Sequence, residues 1–342
     1  MNELKLDAKD VKLLQNYCED AMILPKLLAK KIGLSREATA YRIKRLMNEG
    51  LITRIAAKID ASRFYPNAHC LFLRFAKLNE SIRKTAVDII VKNKNTMWVT
   101  TSGGEYDLIA SLLTQNAQQL TALIKEFESA LAGSLKDYVV LTYEREYKNR
   151  FSDLFDEKGD IEHTPHIIRE YQPLEPLDEE DQMLLYALSL NAQLTNSQLG
   201  EITKLTPEAV RIRVKNLEKQ NLIHGYRAML DICKLKRETY YLLFKFDSLS
   251  PEQEQKLQTY ILQNKHIYYS AKTVGAYNCI ASMFVQNREE LQNFLDDIRN
   301  TFSDCLSEIH APILFHEYKH TYFPPACLLP HVVKIVDSAL KQ

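Results

Sequence analysis

The sequence predicts an α+β protein built twice: two winged helix-turn-helix units, each followed by a ferredoxin-like βαββαβ sandwich. Three observations predict this. Sliding the 342-residue chain by 171 positions lays Leu6-Asp7 on Leu177-Asp178, Leu13-Leu14 on Leu184-Leu185, Arg42 on Arg213 and Asp60 on Asp231. The same offset carries on without a gap to Glu146-Tyr147-Lys148 on Glu317-Tyr318-Lys319, which marks a tandem duplication. Each copy opens with short helix patterns separated by a tight turn. Apolar strand patterns and amphipathic helix patterns then alternate in the order β-α-β-β-α-β.

In copy one, residues 7–18 read as a first helix, 25–32 as a second, and Gly33-Leu34 as the turn. Residues 34–52, LSREATAYRIKRLMNEGLI, supply the third helix. Ser35 is placed to cap it, and Thr39, Ile43 and Leu46 recur as the stripe of one buried face. Residues 205–223, LTPEAVRIRVKNLEKQNLI, repeat this with Thr206 as cap, Pro207 at the first helical position, and Val210, Val214 and Leu217 as the stripe. Gly50 closes the first of these helices in a left-handed cap, and Asn221 is the next best residue for the second. Residues 52–59 alternate and predict a short hairpin, the wing.

The second part of copy one predicts strands at 69–76, 97–101, 106–113 and 138–147, with helices at 82–91 and 120–131. Ser102-Gly103-Gly104 is the turn between the middle strands. In copy two the pattern returns at 242–246, 267–272, 277–284, 291–302 and 309–318. The implied domains are 1–62 and 177–232 for the helix-turn-helix units and 63–148 and 233–322 for the α/β units. A proline-bearing linker, 149–176, carries a short helix near 151–155, and a tail, 323–342, carries a helix at 331–340.

With 46% hydrophobic and 26% charged residues the chain has the composition of a folded protein. No stretch reaches the roughly 20 apolar residues of a membrane helix. MNELKLDAKD contains no apolar signal region, which predicts a cytoplasmic protein without a membrane partner. The six cysteines lack C-x-x-C spacing and read as reduced, mostly buried thiols rather than a disulfide frame or a zinc site. Net charge is zero, but residues 1–60 hold 12 Lys+Arg against 8 Asp+Glu, and residues 172–231 hold 6 against 9. Only the first unit is basic as a whole, although the helix at 207–219 stays cationic.

This ordered set resembles the Lrp/AsnC family of prokaryotic transcription regulators. The residues that carry it are Leu6-Asp7, Leu13-Leu14, Leu34-Ser35, Arg42-Ile43, Leu46, Glu49-Gly50-Leu51-Ile52, Asp60 and Gly104-Glu105-Tyr106-Asp107-Leu108. The resemblance implies a winged helix-turn-helix that reads double-stranded DNA and an α/β part that dimerises and often binds an amino acid. Two fused copies depart from the usual single one. So do Met22 and Gln193 where the family often has Arg, Lys204 at a turn glycine, and Asn278 in place of Asp107. The fusion predicts an intramolecular pseudo-dimer of the α/β units, with homo-oligomers built on it.

On the third helix Arg36, Tyr41 and Lys44 point outward toward base edges, whereas Arg42 and Arg45 lie toward the flanks, where phosphates would be. Copy two offers Arg211, Arg213 and Lys215, with Ile212 in the place of Tyr41, so copy one is expected to be the principal reader. A charged helix face is by itself only a solvated face; the turn, wing and repeat favour DNA. For a small effector, an amino acid above all, the resemblance points to the turn region Thr101, Gly103, Gly104, Tyr106 and Asp107. Backbone N–H groups there would meet a carboxylate and Asp107 an ammonium. The plainer reading is a tight hairpin. Copy two, with Ala276 and Asn278, offers no such negative charge.

Other functions are weaker. His316-Glu317-Tyr318-Lys319-His320 matches H-E-x-x-H, but on a strand its histidines would sit about 13 Å apart, which is no zinc site. Sirohaem decarboxylases resemble this family and work as paired copies, carrying a His-Asn-Tyr stretch with a following Arg. Neither 96–103 nor 267–274 contains a histidine or arginine. The sequence therefore predicts no enzyme, catalytic residue, metal or cofactor. The main alternative is a ligand sensor or architectural DNA-binding protein with weak sequence reading.

Overall fold

The computed structural model describes residues 4–155, 177–235 and 237–341. The first head consists of α1 (Ala8–Glu19), α2 (Pro25–Ile32) and α3 (Arg36–Asn48). Asp7 caps α1 by accepting the backbone N–H groups of Lys9 and Asp10, and Ser35 caps α3 by accepting that of Ala38. Gly33, at φ +69°, ends α2 in the left-handed region. Then come β1 (Ile52–Ile59), β2 (Asn67–Phe75), α4 (Glu80–Lys92), β3 (Thr96–Gly103), β4 (Leu108–Thr114), α5 (Ala117–Ala130) and the long β5 (Leu135–Asn149). The second copy gives α6 (Glu179–Leu190), α7 (Asn196–Thr203), α8 (Pro207–Lys219), β6 (Ile223–Leu230), β7 (Glu238–Phe246), α9 (Pro251–Gln263), β8 (Ile267–Val274), β9 (Cys279–Val285) and α10 (Arg288–Thr301). It closes with β10 (Leu306–His310), β11 (Ile313–His320) and α11 (Pro330–Ala339).

The expected wing hairpin at 52–59 is not a hairpin. That segment is the single strand β1, and it pairs antiparallel with its own repeat, β6, from Ile52 opposite Leu230 to Ile59 opposite Ile223. This two-stranded ribbon joins the heads. Ile52 and Ile55 enter the core of head one with Ala228 and Leu230 from copy two. Ala57 and Ile59 enter the core of head two with Leu184 and Leu188. Neither head buries its apolar face alone, so the two form one layer.

The two expected sandwiches are likewise not separate. Within each copy the strands hydrogen-bond in the order β5-β2-β4-β3 and β10-β7-β9-β8. The last strand of each copy then crosses to the other copy, β5 to β8 and β11 to β3. With β7 also bonded to β11 and β9, eight strands close into one barrel. The expected strand 309–318 is broken at Ala311-Pro312, where proline cannot donate to the ladder. Strands read as apolar on both faces because both are covered. Leu71, Leu73 and Ala110 face α4 and α5, while Cys70, Phe72 and Ile109 face the barrel interior with Tyr241, Leu243 and Ile280.

The repeated Glu-Tyr-Lys has a physical cause. Lys148 donates to the carbonyls of Ile261, Leu262 and Asn264 at the C-terminus of α9, in the other copy, and pairs with Asp153 at 2.6 Å. Lys319 reciprocates with Val91 and Asn93 at the end of α4. Each lysine thus satisfies the orphaned carbonyls of its partner copy. Of the expected linker, 156–176 lies outside the described residues. Residues 151–155 form a turn of 3-10 helix whose Leu154 and Phe155 are buried in the core of head one. α11 extends the core of head two through Val332 and Val336. Among the described residues no helix is long and apolar enough to cross a membrane.

Candidate nucleic-acid interface

On α3 the buried residues are Thr39 and Leu46, and Arg36, Tyr41 and Lys44 on the other face are exposed, Tyr41 by 70%. Such exposure of a large aromatic leaves it free to stack or wedge against a ligand. On α8, Arg211, Ile212 and Lys215 are exposed in the same way. Arg211 folds back on Glu208, a surface pair worth little.

Three of the arginines expected at DNA, among them both that were expected at phosphates, are occupied elsewhere. Arg42 donates to Asp7 at 2.8 Å and to Asp10 at 2.7 Å, and Arg45 reaches Asp10 at 2.6 Å. Asp10 is buried, so it needs those partners. Arg213 repeats the brace on Asp178 and Asp181. The N–H of Asp10 and the Arg42 guanidinium hold the Asp7 carboxyl below its usual range. These arginines tie the third helix of each head to the start of its first. What sequence reasoning passed over is α2: Lys26, Lys30 and Lys31 are all exposed beside α3, and their repeat positions are Ser197, Glu201 and Ile202. The basic count of residues 1–60 carried that signal without assigning it to a helix.

The C-terminal ends of α3 and α8 are gripped crosswise. Lys234 donates to the carbonyl of Glu49, which caps α3, at 2.7 Å, and Arg63 to that of Gln220, which caps α8, at 2.9 Å. Asp60 N–H reaches Leu222 O, and Asp231 N–H reaches Leu51 O, both at 2.9 Å. The repeated aspartates therefore mark backbone clamps between copies.

The turn expected to hold an effector has structural work. The Asp107 carboxylate accepts the backbone N–H of Phe75 at 2.8 Å, and Asn278 makes the equivalent contact to Phe246 at 2.9 Å. Asp-to-Asn exchange preserves that acceptor. Tyr106 is buried at the closed end of the barrel against Phe72, with Tyr277 beside it. Thr101 is buried on β3 opposite His316. A Cβ on Gly103 would fall 2.6 Å from the Phe315 ring, and Gly104 sits at φ +111°. The glycines thus answer to close approach and backbone conformation.

The other end of the barrel, beneath the heads, opens into a cavity of about 920 Å³. Repeat-related residues from both copies line it: Trp98 with Tyr269, Ser111 with Ser282, Glu146 with Glu317, and Phe151 with Tyr322. Tyr143, Tyr241 and Tyr268 add to the aromatic wall, and residues 58–62 with His224 form its roof. Burial pushes the phenols of Tyr143, Tyr241 and Tyr269 up, so they stay neutral donors. His316 and His320 lie on β11, and among the described residues no group of His, Cys, Asp or Glu is placed to hold a metal.

A family model for winged helix-turn-helix DNA-binding segments matches residues 6–53 and 177–224, one match per head. An HTH-type transcriptional regulator of Pyrococcus furiosus is 30% identical over 146 residues, 42% of this chain and 94% of that protein. The chain belongs to the family of winged helix-turn-helix, HTH-type transcriptional regulators. A Bacillus subtilis HTH-type regulator, YezC, is 24% identical over 35% of this chain and 84% of its own. The matched span is one copy long, so such relatives carry once what this chain carries twice. A crystal structure of the siroheme decarboxylase NirDL is similar over 98% of this chain and 100% of its own, with TM-score 0.61 and 14% identity. That likeness shows that the two-copy barrel with joined heads is a shared fold.

Proposed function

We propose that one chain binds double-stranded DNA through both heads, doing alone what the pairing of two single-copy chains would do. The observation that carries this is the β1–β6 ribbon with its crosswise clamps, which holds α3 and α8 at a fixed separation. A fixed pair of reading helices suits two half-sites one or more helical turns apart. Base reading falls to Arg36, Tyr41 and Lys44 on α3, with Arg211 and Lys215 on α8. Phosphate contact falls to Lys26, Lys30 and Lys31, while Arg42, Arg45 and Arg213 act as braces. The test is gel-shift and sedimentation analysis on selected DNA. One chain per two-half-site duplex is expected, and a requirement for two chains to occupy one such duplex would overturn the reading. An amino acid response at the Thr101–Asp107 region has less support, since Asp107 is committed to Phe75.

A second reading is favoured by the whole-chain likeness to NirDL, which has also been crystallised with an iron-uroporphyrin III analogue. The aromatic cavity is of cofactor size. Against it, β3 and β8 carry no histidine or arginine. Loss of carboxyl groups from sirohaem as carbon dioxide on incubation with the protein would establish it; recovery of sirohaem unchanged would dismiss it.

A further inference from the structure

We propose that the cavity under the heads is an effector site for a planar, conjugated anion of cofactor size, and that its occupant sets the position of α8 against α3. The second half rests on the DNA-binding reading; the first does not.

Every acid on the cavity wall already has a partner. Glu19 meets Ser152 and Arg150, Asp60 meets Ser62 and His224, and Glu144 meets Lys272. Glu146 accepts from Asn149, and Glu317 accepts from the Trp98 indole at 2.6 Å and lies 3.5 Å from His320. Lys58 and Arg145 line the same wall, and among the described residues their side chains make no hydrogen bond or ion pair. Arg145 feels Glu254 only at a distance. Two cations without partners among satisfied acids call for an anion. The tyrosine, tryptophan and phenylalanine wall calls for a flat apolar body. A cavity of about 920 Å³ is too roomy to hold one free amino acid in close contact.

The site is also asymmetric in a way a symmetric dimer cannot be. Lys58 has Met229 at its repeat position, and Met97 has Tyr268. The roof residues 58–62 run directly into the Asp60–Arg63 clamp on the end of α8. The corresponding clamp on α3, Asp231 and Lys234, does not line the cavity. An anion drawn to Lys58 therefore acts on head two while head one stays anchored.

Trp98 is the chain's single tryptophan and lies in the wall, so its fluorescence reports occupancy. The full chain is titrated with uroporphyrin III, a planar polycarboxylate, and with flavin mononucleotide, a planar aryl phosphate; the two arms separate the carboxylate and phosphate sources. Saturable quenching by one of them is expected, weakened about tenfold or more in Lys58→Met, which installs the residue copy two already tolerates. Burial and Arg227 push the Lys58 ammonium down to about 8, against the pull of Glu146, Glu19 and Asp60. Binding at pH 8 is then accompanied by proton uptake, seen as a buffer-dependent heat in calorimetry and absent in Lys58→Met. The loaded chain should also shift its DNA affinity about fivefold or more, as couplings between sites typically do. No quenching by either probe, or equal binding by Lys58→Met, overturns the site. Unchanged DNA affinity with intact binding by the unloaded chain overturns only the coupling; absent DNA binding by the unloaded chain overturns the regulator reading instead.

Discussion

The two heads use the same arginine for the same brace and surround it differently. In head one Arg42 and Arg45 converge on Asp10, whose side chain is 1% exposed; in head two Arg213 alone meets Asp181, which is 21% exposed. Asn216 stands where Arg45 would be. Head one also carries Lys26, Lys30 and Lys31 on α2, where α7 has Ser197, Glu201 and Ile202. Both heads keep the machinery that positions a reading helix. Only head one adds the cations on its second helix that would hold it on a phosphate backbone. Duplication within a chain permits this, because a symmetric dimer must change both heads together.

The largest expected effect breaks that comparison directly. Replacing Lys26, Lys30 and Lys31 together with Ala should weaken DNA binding on the order of a hundredfold near 0.1 M salt and lower the salt slope by about 2 to 3. Sequence preference should stay the same, since phosphate contacts carry none. Binding isotherms at four salt concentrations check it. If the slope is unchanged, α2 faces away from DNA and the heads are more alike than their charge suggests.

Next come the braces. Arg42→Ala leaves a buried carboxylate with one cation and should destabilise the protein by about 2–3 kcal/mol in denaturant unfolding. Arg213→Ala, whose acids reach water, should cost about 1 kcal/mol. Equal losses would show that burial of Asp10 does not distinguish the heads. Neither change should flatten the salt slope at temperatures where the protein is folded. A smaller and more selective effect is expected of the exposed residues: Arg36→Ala should relax base preference at one position by about 1–3 kcal/mol, and Arg211→Ala by less. Selection of binding sites with each variant measures this.

Much of this was legible beforehand, and the omissions have a common cause. Helix positions followed from stripes such as Thr39, Ile43 and Leu46, because a buried face repeats at the helical period. The wing was misread because residues 52–59 alternate as any half-buried strand does; the alternation does not say whether the partner lies next in sequence or in the other copy. Arg42 was misplaced for a related reason. Helical spacing put it beside the reading face, but its partners, Asp7 and Asp10, are more than 30 residues away. Asp107 looked available for an ammonium until Phe75, on a neighbouring strand, claimed it. The cavity escaped notice because Lys58, Trp98, Arg145 and Tyr268 are scattered along the chain and meet only when the barrel closes.

The smallest effect concerns the turn before each reading helix. Gly33 occupies the left-handed region at φ +69°, and Lys204 holds the same conformation at φ +62° with a side chain attached. For a residue with a Cβ that conformation costs about 1–2 kcal/mol, part of which glycine gives back through the greater freedom of its unfolded chain. Lys204→Gly should therefore stabilise the protein by about 0.5–1 kcal/mol, visible as a rise in the unfolding midpoint. Gly33→Lys should cost more than the reverse change gains. A Cβ there would lie 3.0 Å from the Lys9 ammonium, which donates to Ile32 O at 2.7 Å and closes α2. The strain would then add to a disturbed cap. If the two substitutions prove equal and opposite, Lys9 contributes nothing to that turn, and the heads differ there by backbone conformation alone.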